Sequence, residues 1–460
     1  MNWTNDRPSV SVGPVIRFGL GVLVVVLLVA APAQAKTTTH TWRVGPVALN
    51  GYGTEQGLQR ARAPKLNGFV TAMYARLVDA AGNPVPQERV MLHHVFFVNH
   101  GRFKGDRRAG DCRSRDAETF YGTGEEDQAI ALPPGYGYKI RKGDRWRVGW
   151  MYMNHRHTKD RVYLQYTVTV TDDPLTPVTP YWVSVSCAEG KIYSVPGDGG
   201  THQRSRTWTV PKAGRIVVGA AHAHGGALSL DVADERCAGR PLLTSTARYG
   251  TETDPIYNLS PVLHEPAPRS MGVAVSATGW PVDRGDRLKV TSNYSNASPH
   301  SAVMGIMHLY IAHGPGRPEP CPPPPADITE QRLAFLGAPG RDVPPLEQPE
   351  LSALNAQGIA FPVADLTGPI VTRTTEADVA VSNAAFKPRR LSIASGALVR
   401  WKFDDPVQHD VTLANGPRAF ASAYTRRGTF RQRLTVPGQY RIFCSLHPVT
   451  MSQTIEVRPE

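Results

Sequence analysis

The sequence predicts an all-β protein built as two tandem β-sandwiches, a proline-rich linker and a third, smaller sandwich. Short β-prone runs alternate with Gly, Pro, Asp and Asn turns from Lys36 to about Pro315, and again from about residue 372 to the C-terminus. No stretch in either region sustains a helical hydrophobic period. At 460 residues the chain exceeds one hydrophobic core and suffices for three.

Residues 1–35 carry Arg17, an apolar run from Leu20 to Ala31 and then Ala33-Gln34-Ala35, the small-x-small pattern that signal peptidases accept. The run is shorter than the roughly 20 apolar residues of a membrane span. Export with cleavage after Ala35 is therefore expected, to the periplasm, cell envelope or exterior, leaving no membrane span. No Arg-Arg pair precedes the run, so the protein is expected to fold, and to take up any metal, outside. The first sandwich is assigned to residues 36–174 and the second to 175–314, divided near Thr171-Asp172-Asp173-Pro174-Leu175-Thr176-Pro177. The linker, 315–371, contains Cys321-Pro322-Pro323-Pro324-Pro325 and is semi-rigid by composition, with only Ile328 to Leu336 suited to a short helix. The third sandwich spans 372–460, with short strands at Leu391–Ile393, Ala397–Phe403, Thr429–Val436, Tyr440–Cys444 and Ser452–Val457.

The formal charge of +12 is spread along the chain without a dense run, and no basic cluster is interleaved with aromatics. A nucleic-acid partner is not expected. Neither a Gly-rich phosphate loop nor a Ser-His-Asp signature is present, so His, Met and Cys carry the visible chemistry.

The most specific motif is Cys444-Ser445-Leu446-His447-Pro448-Val449-Thr450-Met451. One thiolate and two imidazoles suit a trigonal copper ion that cycles between Cu(I) and Cu(II), with a thioether as a long axial ligand. The spacing lets a single loop between two strands offer Cys444, His447 and Met451. A core methionine would look the same as an axial ligand at Met451. The fourth ligand is assigned to His409, where an alternating strand through Trp401 and Phe403 runs into a turn. With Cys444 on metal, Cys112, Cys187, Cys237 and Cys321 remain for two disulfides, in any of three pairings.

Residues 372 to 460 resemble the cupredoxins of the plastocyanin, amicyanin and azurin group. The resemblance rests on Phe386-Lys387-Pro388, Gly396, Trp401, His409 and Tyr440-Arg441-Ile442-Phe443-Cys444-Ser445-Leu446-His447-Pro448. It implies a Greek-key sandwich with one type 1 copper ion.

Three histidine groups lie further upstream: His93-His94, His155-Arg156-His157 and His222-Ala223-His224. Residues two apart on a strand project to one face, so His222 and His224 make half a metal site, which Met304 or Met307 would extend. Adjacent His93 and His94 should face opposite sides unless a bulge intervenes.

Val217 to Gly226, Leu288 to Ser295 and His300 to Gly305 look like the stress up-regulated nodulin family. More distantly, the same order of motifs is similar to the two-sandwich copper monooxygenases typified by peptidylglycine alpha-hydroxylating monooxygenase. That likeness implies jelly-roll-type sandwiches and two further copper sites. One would use His93, His94 and His155, with His157 competing for the last place; the other would use His222, His224 and Met304.

Three functional readings follow. The favoured one is an exported copper protein that passes single electrons between its type 1 ion and a redox partner protein or small donor, through His447. The second is a copper oxidase or monooxygenase in which the C-terminal domain feeds copper at His222, His224 and Met304. The third is copper storage or scavenging without turnover.

Overall fold

The computed structural model describes residues 36–100, 112, 117–188, 191–249, 265, 268–331, 366–448 and 450–459. The leader expected at 1–35 lies outside them. Described residues from 36 onward belong to one compact unit made almost wholly of strands.

Period-two patterning is clearest in Asp160–Thr171, where Val162, Leu164, Tyr166, Val168 and Val170 are all fully buried and alternate with solvated Arg161, Tyr163 and Gln165. In the third sandwich Val399, Trp401 and Phe403 repeat the pattern along Ala397–His409.

The first sandwich sets a four-stranded sheet, in the order Thr54–Ala61, Arg145–Asn154, Val90–His100 and Ala117–Gly124, against Thr37–Leu49, Asp160–Thr171, Gly68–Val78 and Tyr136–Ile140. That second sheet does not stop at the domain boundary. Tyr136–Ile140 pairs in parallel with Thr176–Ser184, matching Thr176 to Tyr136 and Val178 to Tyr138. The sheet then continues through Gly305–His313, Gly214–Ala223, Val273–Val282 and Thr329–Gln331. Thr201–Thr209, Arg287–Ser295, Ala227–Asp234 and Arg240–Arg248 form the opposing layer of the second sandwich. The two sandwiches are thus joined through one continuous sheet.

This junction explains a sequence feature. Ile216 to Ala223 and Ile306 to Ala312 read as near-continuous apolar runs because both of their faces are covered. Ala221, Ala223, Met307, Leu309 and Ile311 enter the second core, whereas Val218, Ala220, Tyr310 and Ala312 enter the first. His222, His224 and His308 alternate with residues of the second core, so they look toward the first sandwich.

The cysteines pair as Cys112–Cys187 and Cys237–Cys321, with Cα separations of 5.2 and 5.6 Å, as in proteins of oxidising compartments. No described helix is long and apolar enough to cross a membrane. The second bridge pins the proline-rich segment to the turn at Glu235–Cys237, where the buried Arg317 guanidinium is clamped by Asp234 and Asp286. The helix anticipated from Ile328 to Leu336 is not formed in its described part: Thr329–Gln331 is an edge strand on Val273–Val282. Pairing with an open sheet edge satisfies its backbone, which three residues of helix would not.

The third sandwich packs Ala385–Lys387, Glu376–Ser382, Ala397–His409 and Thr425–Leu434 against Val371–Arg373, Arg390–Ala394, Ser452–Arg458, Gly438–Phe443 and Thr412–Asn415. Its centre is Trp401, whose indole N–H donates to Gln453 Oε1 at 2.9 Å. Tyr424 and Leu446 of this sandwich also pack against the second core, so the end bearing Cys444 is turned toward the rest of the protein.

Candidate metal centres

Two regions concentrate metal-ligating side chains. In the third sandwich, His409 closes the strand Ala397–His409 and Cys444 follows Gly438–Phe443. The loop between Cys444 and Met451 is tied to itself: His447 N–H donates to Cys444 O, Met451 N–H to His447 O and Cys444 N–H to Met451 O, each at 3.0 Å. These bonds hold Cys444 and His447 toward His409. The His409 and His447 Nδ1 atoms are 3.2 Å apart and lie 3.8 and 3.5 Å from Cys444 Sγ.

This triangle can be tested for fit. Bond lengths of about 2.0 Å to nitrogen and 2.3 Å to sulfur in a trigonal plane separate the donors by about 3.5 to 3.7 Å. The three side chains therefore fit one ion without rearrangement. Among the described residues, this is the one group of three or more His, Cys or carboxylate side chains whose ligand atoms all lie within 4.8 Å of one another. His409 Nε2 stands 3.1 Å from Asp405 Oδ2, an arrangement that leaves Nδ1 for the ion. Met451 is fully buried in the third core, and its backbone closes the ligand loop.

The electrostatics favour a cation here. Burial pushes the Cys444 thiol well above its ordinary value, and burial followed by the neighbouring His409 lowers His447. A bound metal ion is what makes a buried thiolate affordable, and neutral imidazole is the form that ligates. Asp410, itself pushed up by burial, accepts from Ser445 N–H and the Thr412 hydroxyl at 2.7 Å each, bracing the residue after Cys444.

The second region is a cavity of about 640 Å³ lined by residues of all three sandwiches. Its walls include His93 and His94 from the first and His222, His224 and Met304 from the second. The ladder between Val90–His100 and Arg145–Asn154 shifts register between Leu92 and His94, a bulge of the kind that lets adjacent histidines serve one space. The His93 and His94 Nδ1 atoms lie 2.9 Å apart. The Tyr294 hydroxyl accepts from His224 N–H at 2.8 Å and donates to Met304 O at 2.6 Å, tying those two residues to one wall. Met307 instead packs in the second core. His155 is buried outside the cavity lining, with its N–H on Arg89 O at 3.2 Å, and His157 is exposed. Four residues of strand from Arg89 to His93 span about 13 Å.

Several residues in or behind the cavity wall escaped the sequence reading. Glu126, fully buried, accepts from His222 Nδ1 at 3.0 Å and from Gly124 N–H at 3.1 Å. Gly124 makes room for that ring, since a Cβ there would lie 2.7 Å from His222 Cε1. His300 Nδ1 is 2.6 Å from Glu265, whose carboxylate holds the ring above its ordinary value although burial opposes it. His308 stacks on Trp182 at 3.9 Å and is driven well down by burial. Only a spatial partner distinguishes these from ordinary core residues.

Between the two regions stands Tyr424. Its hydroxyl lies 3.0 Å from Ser445 Oγ, next in sequence to Cys444, and 3.8 Å from Met151 Sδ in the cavity wall.

A model of the family described as Stress up-regulated Nod 19 matches residues 181–314, the second sandwich. No curated protein matches the chain. Solved structures similar to it include an amicyanin mutant in the Cu(I) state, 18% identical over 18% of this chain and 82% of that one, TM-score 0.17. An oxidised amicyanin mutant is 20% identical over 18% and 80%, TM-score 0.17. A purple cupredoxin from Nitrosopumilus maritimus is 21% identical over 18% and 99%, TM-score 0.16.

Proposed function

We propose that the protein is a copper-binding electron-transfer protein whose C-terminal sandwich is a cupredoxin with a type 1 ion on Cys444, His409 and His447 and Met451 as axial ligand. The observation that carries this reading is the Nδ1, Nδ1, Sγ triangle, whose edges fit a trigonal ion and whose soft sulfur donor suits copper. When bound, the ion would supply a one-electron couple. The chain's own residues hold two imidazoles and the Cys444 sulfur in a preformed setting, with His409 and Cys444 buried and His447 half-buried, which limits rearrangement between oxidation states.

Cys444→Ser tests the assignment. It should abolish the intense thiolate-to-copper absorption of the copper-loaded protein; an unchanged band in the variant would refute it.

Tyr424 favours a second element of the reading: the electron passes inward, toward the histidine cavity. Leu446, within the ligand loop, packs against the second core, and the Tyr424 hydroxyl spans Ser445 and Met151. A redox partner protein or small donor would then reload the C-terminal ion. This supports a copper oxidase or monooxygenase reading alongside simple electron carriage.

A further inference from the structure

We propose that the edge strand Thr425–Leu434 of the third sandwich is the docking surface for a one-electron donor protein with a carboxylate-rich face, which reloads the C-terminal ion along the flank of His409. This rests on the type 1 reading above and names the partner of that site. Charge sets the partner's sign. Residues 372–460 hold thirteen Lys and Arg against seven Asp and Glu, half of the chain's net +12 in about a fifth of its length. Arg426, Arg427, Arg431 and Arg433 all lie exposed on this one strand. Among the described strands it pairs only with Ala397–His409, so its other edge is open.

The cations one strand inward are neutralised, and those of the edge strand are not. Arg400 is held by Asp378 and Glu376 at 2.8 and 2.6 Å, and Lys402 by Asp378 at 2.7 Å. The register sets Arg431 directly opposite Arg400, a like-charged pair that costs stability across a ladder. Arg427 has only Asp404, at 3.8 Å with the two side chains 86 and 88% exposed, where an ion pair contributes little. Arg433 reaches a backbone carbonyl, Gly396 O, and neither it nor Arg426 nor Arg431 has a carboxylate partner among the described residues. Open edges are commonly guarded by charge, but guarding works with either sign. Four charges of one sign, with the nearby carboxylates engaged elsewhere, make a field that selects an acidic partner.

The strand also reaches the metal centre. Thr425 pairs with His409, so Thr425–Leu434 starts beside a ligand. Neighbouring strands lie about 4.8 Å apart, so a protein docked on the open edge stands about 10 Å from the His409 backbone. The opposite side of the ligand triangle is turned inward: Leu446 packs on the second core and Ser445 lines the cavity. One electron leaves the reduced donor and returns the C-terminal couple to its reduced state, with no bond or proton exchanged.

The test uses the copper-loaded full chain and a strongly acidic plant-type ferredoxin as probe. Association of the oxidised ferredoxin, which cannot donate, is measured against salt for three proteins: wild type, the variant Arg426→Gln, Arg431→Gln, Arg433→Gln, and a control. The control removes the same charge from exposed positions of the opposite sheet, Arg373→Gln, Arg441→Gln, Arg458→Gln. The edge-strand variant should associate about tenfold more slowly at low salt, with a shallower salt dependence, while the control stays within about twofold of wild type. Equal slowing in both variants, no slowing in the first, or a wild-type chain that does not bind the ferredoxin would overturn the docking surface.

Reduction by the reduced ferredoxin should slow by the same factor in the edge-strand variant, while reduction by ascorbate is unchanged and the thiolate-to-copper band is retained. An undiminished rate in a variant that docks poorly would place electron entry elsewhere and overturn the route. Absence of the band from wild type would defeat the type 1 reading, and the binding of oxidised ferredoxin would still decide the docking surface by itself.

Discussion

Cys444 is fully buried, and burial raises its thiol while lowering His447. Both shifts keep the ligands neutral until a cation arrives. Met451, equally buried, is read as the axial ligand. Met451→Leu keeps its volume and removes its sulfur, so the variant should stay coloured with a higher reduction potential, measured by redox titration. An unchanged potential would make Met451 a core methionine and nothing more. These residues were legible because Cys444, His447 and Met451 fall within eight consecutive positions, so one loop delivers them. Glu126 and Glu265 were not, because their partners His222 and His300 lie 96 and 35 residues away and meet them only in the folded chain. Nor does sequence distinguish His308 from any core residue of a strand buried on both faces.

Strand-level patterning was readable wherever one face meets solvent, as along Asp160–Thr171, and ambiguous where both are covered, as along Gly214–Ala223. The bulge at Leu92–His94 was recognised only as a requirement, since register belongs to the pairing with Arg145–Asn154. The edge strand Thr329–Gln331 likewise depends on an open sheet edge that local propensity does not reveal. One ion pair fixes the start of Asp160–Thr171. The Asp160 carboxylate, its side chain 5% exposed, receives Arg89 at 2.9 Å and is held at about 2, chiefly by those hydrogen bonds. Because this value is below the 3.8 of a free aspartate, the stabilisation is present above pH 4 and is lost as pH falls toward 2. It amounts to about 2 kcal/mol. Asp160→Asn should forfeit that margin at neutral pH and flatten the acid dependence in chemical denaturation; a variant as stable as wild type at pH 7 would contradict the assignment.

At the scale of the molecule, the third sandwich bounds a histidine-lined cavity instead of standing apart on its linker. The sequence reading reached the all-β class and named the three residues that meet in the His409, Cys444 and His447 triangle, but the shared sheet and the cavity arise from contacts between distant segments that no local pattern encodes. They are the basis of the proposed inward route for the electron. On that proposed route, after pulse reduction of the C-terminal ion, Tyr424→Phe should slow its reoxidation by an acceptor in the cavity while leaving the thiolate band intact. An unchanged rate would exclude this hydroxyl from the route. All of this depends on the C-terminal centre being type 1 copper, and electron paramagnetic resonance of the copper-loaded full chain tests that most directly. The account predicts a signal with the small parallel copper hyperfine splitting of a copper–thiolate bond, lost in Cys444→Ser. A spectrum showing only the large splitting of ordinary nitrogen- and oxygen-ligated Cu(II) would contradict it.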